Sequence, residues 1–459
     1  MQTTPALNQA SQVSYFQTVK AHLRTTPGRM QTLLAAGIVG ALLIALTGFG
    51  AYQGVRGAVQ TLGKDTVPSI VAAEQIRFLL ASAHANAMNA VLLKEDDSGT
   101  SSKAFRAEMD QAQQALVTAA KNITYGSEEQ KPITAVMMAL GSYERLLGQA
   151  HAKGAETALP DLTAANQLMQ TVILPATVAL DQANFDHLTA SFNSHHAAFY
   201  LQMTPLVLIA LATLAALLAA QTYLMRKTRR TLNLGLLAAT VILGLASLYG
   251  ATSLQAIEKK LVSSKFDAFD SIHSLSKARA LAYEANADES LLLIYRGHPE
   301  AQAQATADFK QRIAQIMAIE PAQLDAATKS KTKFGGLLGA ELVNITYPGE
   351  EAAALLTART WADYVEIDKQ IRELESSGRY AESQALALGY QAGQSNWAFD
   401  AFDKALGKTT AINQAAFDQD IADAFARLNR FPYLLFGAVL ASILAIVLGM
   451  KPRLDEYRF

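Results

Sequence analysis

Two hydrophobic regimes alternate along the chain. Long uncharged stretches such as "LLAAGIVGALLIALTGFGAY" after Arg29 are apolar all round. Between them run long segments that place apolar residues at helical spacing among Ala, Gln, Glu and Lys. No segment sustains the period-two alternation of a half-buried strand. The uncharged stretches are long enough to cross ~30 Å of hydrocarbon. They predict four transmembrane helices, at 30–53, 199–225, 231–253 and 431–450. The rest divides into an N-terminal segment 1–29, large domains 54–198 and 254–430, a hinge 226–230 and a tail 451–459. The fold class expected is an all-α membrane protein with four transmembrane helices and two extracytoplasmic four-helix bundles arranged as a tandem duplication.

The duplication is read from residues. "NITYGSEEQ" at 122–130 returns as "NITYPGEEA" at 344–352, Ala85-Asn86-Ala87 as Ala285-Asn286-Ala287, and Leu33-Leu34-Ala35-Ala36 as Leu236-Leu237-Ala238-Ala239. The second copy is longer, and its extra residues fall around "AATKSKTKFGGLLGAE", where Gly335 and Gly336 break a helix. Breakers at 95–102, 122–126 and 152–160 cut the first domain into four helices. "RGHPE", NITYPG and "SSGR" do the same in the second. Ser127 and Gln130 form a capping-box pattern that starts the third helix. In an up-down bundle the outer helices continue into the flanking spans, and the NITY turns lie at the membrane-proximal end.

Composition sharpens the membrane reading, because 51% of residues are apolar and only 17% charged, below the roughly 25% usual for soluble chains. Lys20, Arg24 and Arg29, then Arg226, Lys227, Arg229 and Arg230, then Lys451, Arg453 and Arg458 flank the spans. By the positive-inside rule the termini and hinge face the cytoplasm, so both large domains face outward. Cleavage of the first span as a signal peptide is the competing reading. The long polar segment before that span and its likeness to the third span favour retention. The localisation expected is the plasma membrane, multi-pass.

"LSKARALAYEANADESLLLIYRG" (275–297), "TWADYVEIDKQIRELESSGRYAESQALALG" (360–389), "FDKALGKTTAINQAAFDQDIADA" (402–424) and the closing "RLDEYRF" resemble the four-span membrane proteins of actinobacteria and related bacteria. Those proteins couple an extracytoplasmic glutamate- or aspartate-binding lipoprotein to a soluble Ser/Thr protein kinase. Each bundle also resembles the four-helix sensor domains of chemoreceptors and histidine kinases. The portion from "RRTL" onward is the better match, and the first domain is more divergent. The resemblance implies partners on both faces, a solute-binding lipoprotein outside and a kinase or adaptor inside, besides membrane lipid. A homodimer is a further option, and no nucleic acid is expected.

Candidate chemistry is sparse. The first helix of the second domain carries a heptad-spaced seam through Ile272, Leu275, Arg279, Ala282, Asn286, Glu289 and Leu293, beside a more apolar one through Phe266, Phe269, Ala280, Tyr283, Ala287 and Ile294. Buried unpaired charge is costly. Arg279, Asn286 and Glu289 therefore face solvent, pair in a layer, or line a pocket where the guanidinium clamps an amino-acid carboxylate. Trp361, Asp363 and Tyr364 form an aromatic cluster that serves either core packing or partner recognition. Arg453, Leu454, Glu456, Tyr457 and Arg458 are candidate contacts for the cytoplasmic output. His195 and His196 do not share a helix face and read as interfacial polarity. With no Cys there is no disulfide or thiolate site, and no phosphate loop, nucleophile elbow or HExxH motif is present. No catalytic residue, metal site or cofactor is expected. The reading is a transmembrane receptor or adaptor that senses an outer ligand and is not an enzyme. A transport component or membrane scaffold is the alternative; the uncharged spans count against transport.

Overall fold

A computed structural model describes residues 25–153, 157–228, 232–317, 324 and 334–457. Residues 1–24, part of the hinge, much of the 318–333 segment and Arg458 lie outside the described residues. In chain order the helices are α1 (Thr26–Gln60), α2 (Val67–Leu93), α3 (Thr100–Lys121), α4 (Ser127–Lys153), α5 (Leu159–Leu168), α6 (Leu174–Thr228), α7 (Leu234–Ser263), α8 (Asp270–Ile294), α9 (Pro299–Ile316), α10 (Gly336–Val343), α11 (Glu350–Ser376), α12 (Tyr380–Leu388) and α13 (Ser395–Asp455). π-helical segments at Thr61–Thr66, Met169–Ile173 and Ser264–Phe269 join α1 to α2, α5 to α6 and α7 to α8. The protein is all-α, and four helical runs, Thr26–Leu93, Leu159–Lys227, Leu234–Ile294 and Ser395–Asp455, are long and apolar enough to cross a membrane.

The chain forms two compact units. The first comprises the chain through Val59, Phe192–Leu261 and the chain from Ala422 onward. Its helices meet through small residues. Gly40 leaves no room for a Cβ beside Thr213, and Gly235 sits against the backbone of Ala445 and Gly449. Asn233 Nδ2 donates to Gly449 O at 2.7 Å, and Tyr52 and Phe431 stack with centroids 5.6 Å apart. Leu46, Leu208, Leu245 and Leu448 stay exposed. That arrangement suits lipid, which is as apolar as Leu and leaves close backbone approach to hold helices together.

The second unit comprises Gln60–Ser191 and Val262–Ile421. At its centre α2 packs along α8; α3 lies on α2, α9 and α10 lie on α8, α4 meets α3 and α5, and α11 meets α10 and α12. One apolar cluster belongs to the N-terminal half (Ile76, Leu80, Leu116, Tyr143, Ile173) and one to the C-terminal half (Leu275, Phe309, Trp361, Phe402). A third draws on both, with Met88 and Leu162 beside Leu291 and Tyr295. This modifies the expectation of two separate bundles: the halves share one interior, and α8 is buried on nearly every face. Both seams turn inward for most of their length: Leu275, Ala282, Asn286 and Glu289 of one and Phe269, Ala280 and Ala287 of the other are buried, while Phe266, ahead of α8, is exposed. The C-terminal half also departs from four helices. The short helix α12 and a loop through Gly389 separate "SSGR" from α13.

The NITY turns are built alike. Asn122 and Asn344 end α3 and α10, and Gly126 and Gly349 adopt φ of 67° and 85°, which glycine tolerates best. One carboxylate gathers two turn amides: Glu129 accepts from Thr124 N and Tyr125 N, both at 2.6 Å, and Glu350 from Thr346 N and Tyr347 N at 2.6 and 2.8 Å. α4 does begin at Ser127, but this carboxylate grip stands where the Ser127–Gln130 box was expected. Each turn also holds the π-helical segment of its own half. Tyr125 bonds the Thr66 hydroxyl at 2.8 Å, and Asn344 Nδ2 donates to Phe266 O, Asp267 O and Ser271 Oγ at 2.9 to 3.0 Å.

Candidate functional site

A charged layer is buried between α2 and α8. Arg77 of α2 donates to Glu284 Oε1 of α8 through Nε at 3.2 Å and Nη2 at 3.0 Å. The other oxygen of Glu284 accepts from Arg312 Nε of α9 at 3.1 Å. Arg312 also pairs with Asp288 and donates to Gln170 Oε1, in the π-helical segment before α6, at 2.7 Å. Glu284 thus bridges guanidinium groups from both halves. Such a network breaks about even against an apolar core when complete, and costs about 3–5 kcal/mol when one member is removed. Its physical role is therefore to fix which faces meet. Near it, Ser290 Oγ donates to Asn89 Oδ1 at 2.5 Å. His84 bonds Tyr143 and Asn166 at 2.9 and 3.1 Å, and burial lowers its imidazole to about 4, against the pull of the Asn166 bond, so it is neutral at pH 7.

The layer opens to one side as a cleft of about 470 Å³ lined by Asn166, Gln170, Asp288, Tyr295, Asp308 and Arg312, among others. Carboxylates, amides and a guanidinium converge there from both halves, a set that complements a zwitterion.

The residues singled out from sequence are placed differently. Arg279 does clamp a carboxylate, but that of Asp403, bidentately at 2.7 and 2.9 Å, with Phe78 3.9 Å beneath the guanidinium. Asn286 is buried. Glu289 is buried against Ser395, whose hydroxyl lies 2.8 and 2.9 Å from its two oxygens. Trp361 and Tyr364 are fully buried in the C-terminal core, where Trp361 Nε1 donates to Met317 O at 3.1 Å and the ring meets Phe402 at 5.0 Å. Asp363 points the other way and is exposed. Arg279 and Glu289 are thus paired within the fold, Asn286 is buried, and Trp361 and Tyr364 pack the core. Of the tail residues, Arg453 pairs with Glu456 at 2.8 Å, Leu454 is half-buried and Tyr457 exposed; Arg458 lies outside the described residues. His196 is more specific than interfacial polarity, since its Nδ1 is 2.6 Å from Glu258 Oε1.

Sequence reading missed Arg77, Glu284 and Arg312, although Glu284 and Asp288 four residues apart place two acids on one helix face. It also missed a buried group formed by Glu74, Asp181 and His273, which no local spacing brings together.

Burial, then the neighbouring Asp368 charge, pushes Glu289 from its ordinary 4.5 up to about 8, against the Ser395 bond and the charge of Arg372. Because this folded value lies above the unfolded one, the protonated carboxyl stabilises the fold fully below about 4.5, and that contribution is lost as pH rises through 8. Glu289→Gln should flatten the fall of the thermal midpoint across this window, followed by circular dichroism in detergent. A slope identical to that of the unmutated protein would contradict the assignment.

Residues 58–193, from the end of α1 into α6, match the actinobacterial sensor domain family. No curated protein and no solved structure matches the chain. The match falls on the N-terminal half, whereas the resemblance read from sequence was stronger in the C-terminal half. Together with the four long apolar helices, it supports a bacterial membrane sensor with a role in signalling.

Proposed function

We propose that the chain is a transmembrane receptor or adaptor that senses an extracytoplasmic amino acid, directly or through a solute-binding lipoprotein, and relays its state to a cytoplasmic Ser/Thr kinase. It transmits and does not catalyse. The observation that carries the ligand class is the cleft beside Arg312, where Asp308 suits an ammonium and the unpartnered amide nitrogen of Gln170 suits a carboxylate. Tyr380, Tyr390 and Trp397, exposed around α12 and the start of α13, offer aromatic anchors for a protein partner. The paired NITY turns and their matching π-segment contacts support reading the chain as a tandem duplication. The Lys and Arg residues that flank the spans support an outward location for the second unit.

Binding of glutamate, aspartate and other amino acids to the full chain in nanodiscs, with and without candidate lipoproteins, tests the ligand. Asp308→Asn should weaken direct binding roughly 10-fold, the scale of a lost charged hydrogen bond, and Trp397→Ala should weaken only capture of a loaded lipoprotein. Indifference of both variants and of the parent to every ligand sinks the reading. Orientation is open to labelling, because the chain has no Cys: cysteines placed at Ser98 and Ser377 should react from outside and one at Thr228 only from inside. Labelling of Thr228 from outside inverts the topology. For the relay, a pull-down from native membranes should recover a Ser/Thr kinase or its adaptor, and deleting residues 454–459 should abolish ligand-dependent phosphorylation while leaving insertion intact. Unchanged phosphorylation removes the tail from the relay.

A further inference from the structure

We propose that Glu74, Asp181 and His273 bind a divalent first-row transition ion, with Zn²⁺ the best fit, and so tie the two halves of the second unit together. The residues come from α2, α6 and α8, all three are buried, and their ligand atoms lie within 4.8 Å of one another. This inference is independent of the amino-acid ligand and of the relay.

Two separate observations meet at this place. The first is the donor set itself. His273 Nε2 stands 2.8 Å from Asp181 Oδ1, and its ring is held parallel to Phe185 and Phe269, with centroids 4.7 and 5.7 Å away. The imidazole is therefore oriented before any ion arrives, as ligating histidines generally are. The second is Glu74, only 3% exposed and aimed into the cluster, with neither carboxylate oxygen hydrogen-bonded. Its helical neighbour Arg77 is committed to Glu284. An isolated carboxylate in such a place is costly. A bound ion gives both oxygens a partner.

The charges allow a dication. Glu74 and Asp181 bring two negative charges, and Lys277, 3.1 Å from Asp181 Oδ2, is partly exposed. One imidazole nitrogen with two carboxylate oxygens is a zinc-type set and leaves a fourth position for water. The nitrogen donor argues against Mg²⁺ or Ca²⁺, which favour all-oxygen shells.

The test uses the full chain in detergent, stripped with chelator and titrated calorimetrically with Zn²⁺ alone. One ion per chain should bind, raise the thermal midpoint, and be replaceable by Co²⁺ with visible d–d absorption. Glu74→Gln and His273→Ala should each weaken binding at least about 100-fold, the upper end of what losing even a supporting group costs a metal site, and abolish the thermal shift. His298→Ala, at an exposed histidine elsewhere, should change nothing. If His273→Ala does not fold, the nearly isosteric Glu74→Gln decides. Failure of the parent to bind Zn²⁺, an equal response to Mg²⁺, or undiminished binding by Glu74→Gln overturns the proposal.

Discussion

The bridge from Arg77 through Glu284 to Arg312 is the constraint on which the second unit depends. A guanidinium and a carboxylate so deeply buried are tolerated only when every hydrogen bond is made, so α2 and α8 have essentially one register in which they can meet. Apolar contacts alone would not discriminate so sharply, since both helices are rich in buried alanines, Ala81, Ala83, Ala85 and Ala87 on α2 and Ala278, Ala280, Ala282, Ala285 and Ala287 on α8, whose near-identical small side chains mark no single register. Ionic pairing supplies the choice of register, and the apolar clusters on either side supply the affinity.

The two ends of the second unit then differ in character. Around Thr61–Thr66 and Ser264–Phe269 the helices are locally underwound into the wider π geometry and held by the NITY turns, whose own amides are gripped by Glu129 and Glu350. Such segments often mark functional places in helices. Glu74 and His273 follow within two or three turns, so any group that binds them acts close to where the helices are held. The cleft beside Arg312 lies further along α8, and a ligand there would act on the same two helices through Asp288.

The helical class, the four apolar runs and the NITY turns were legible in the sequence because each is a local pattern: uncharged length, helical spacing, and an Asn–Gly turn with acids after it. The site was not. Periodicity assumes a helix with one wet face, and α8 has almost none, so solvent, pairing and a pocket stayed open for Arg279, Asn286 and Glu289 until the fold supplied Asp403 and Ser395 as partners for the first and last and buried Asn286. For Trp361 and Tyr364 the sequence left core packing and partner recognition side by side, and the structure places both in the core. Glu74, Asp181 and His273 are distant in sequence and meet only through tertiary packing, which no window along the chain reports.

The charged bridge also has a direction. When Ala85-Asn86-Ala87 is set upon Ala285-Asn286-Ala287, His84 takes the place of Glu284, and Lys277 the place of Arg77. On the duplication reading, the two copies have become unlike at the very positions that hold them together. A second copy of the N-terminal half would offer Arg77 a neutral imidazole, and a second copy of the C-terminal half would offer Glu284 a lysine without the guanidinium fork. Like therefore pairs poorly with like, and the halves behave as two different subunits that happen to share a chain. Covalent linkage keeps them at equal number, and their divergence keeps each from substituting for the other.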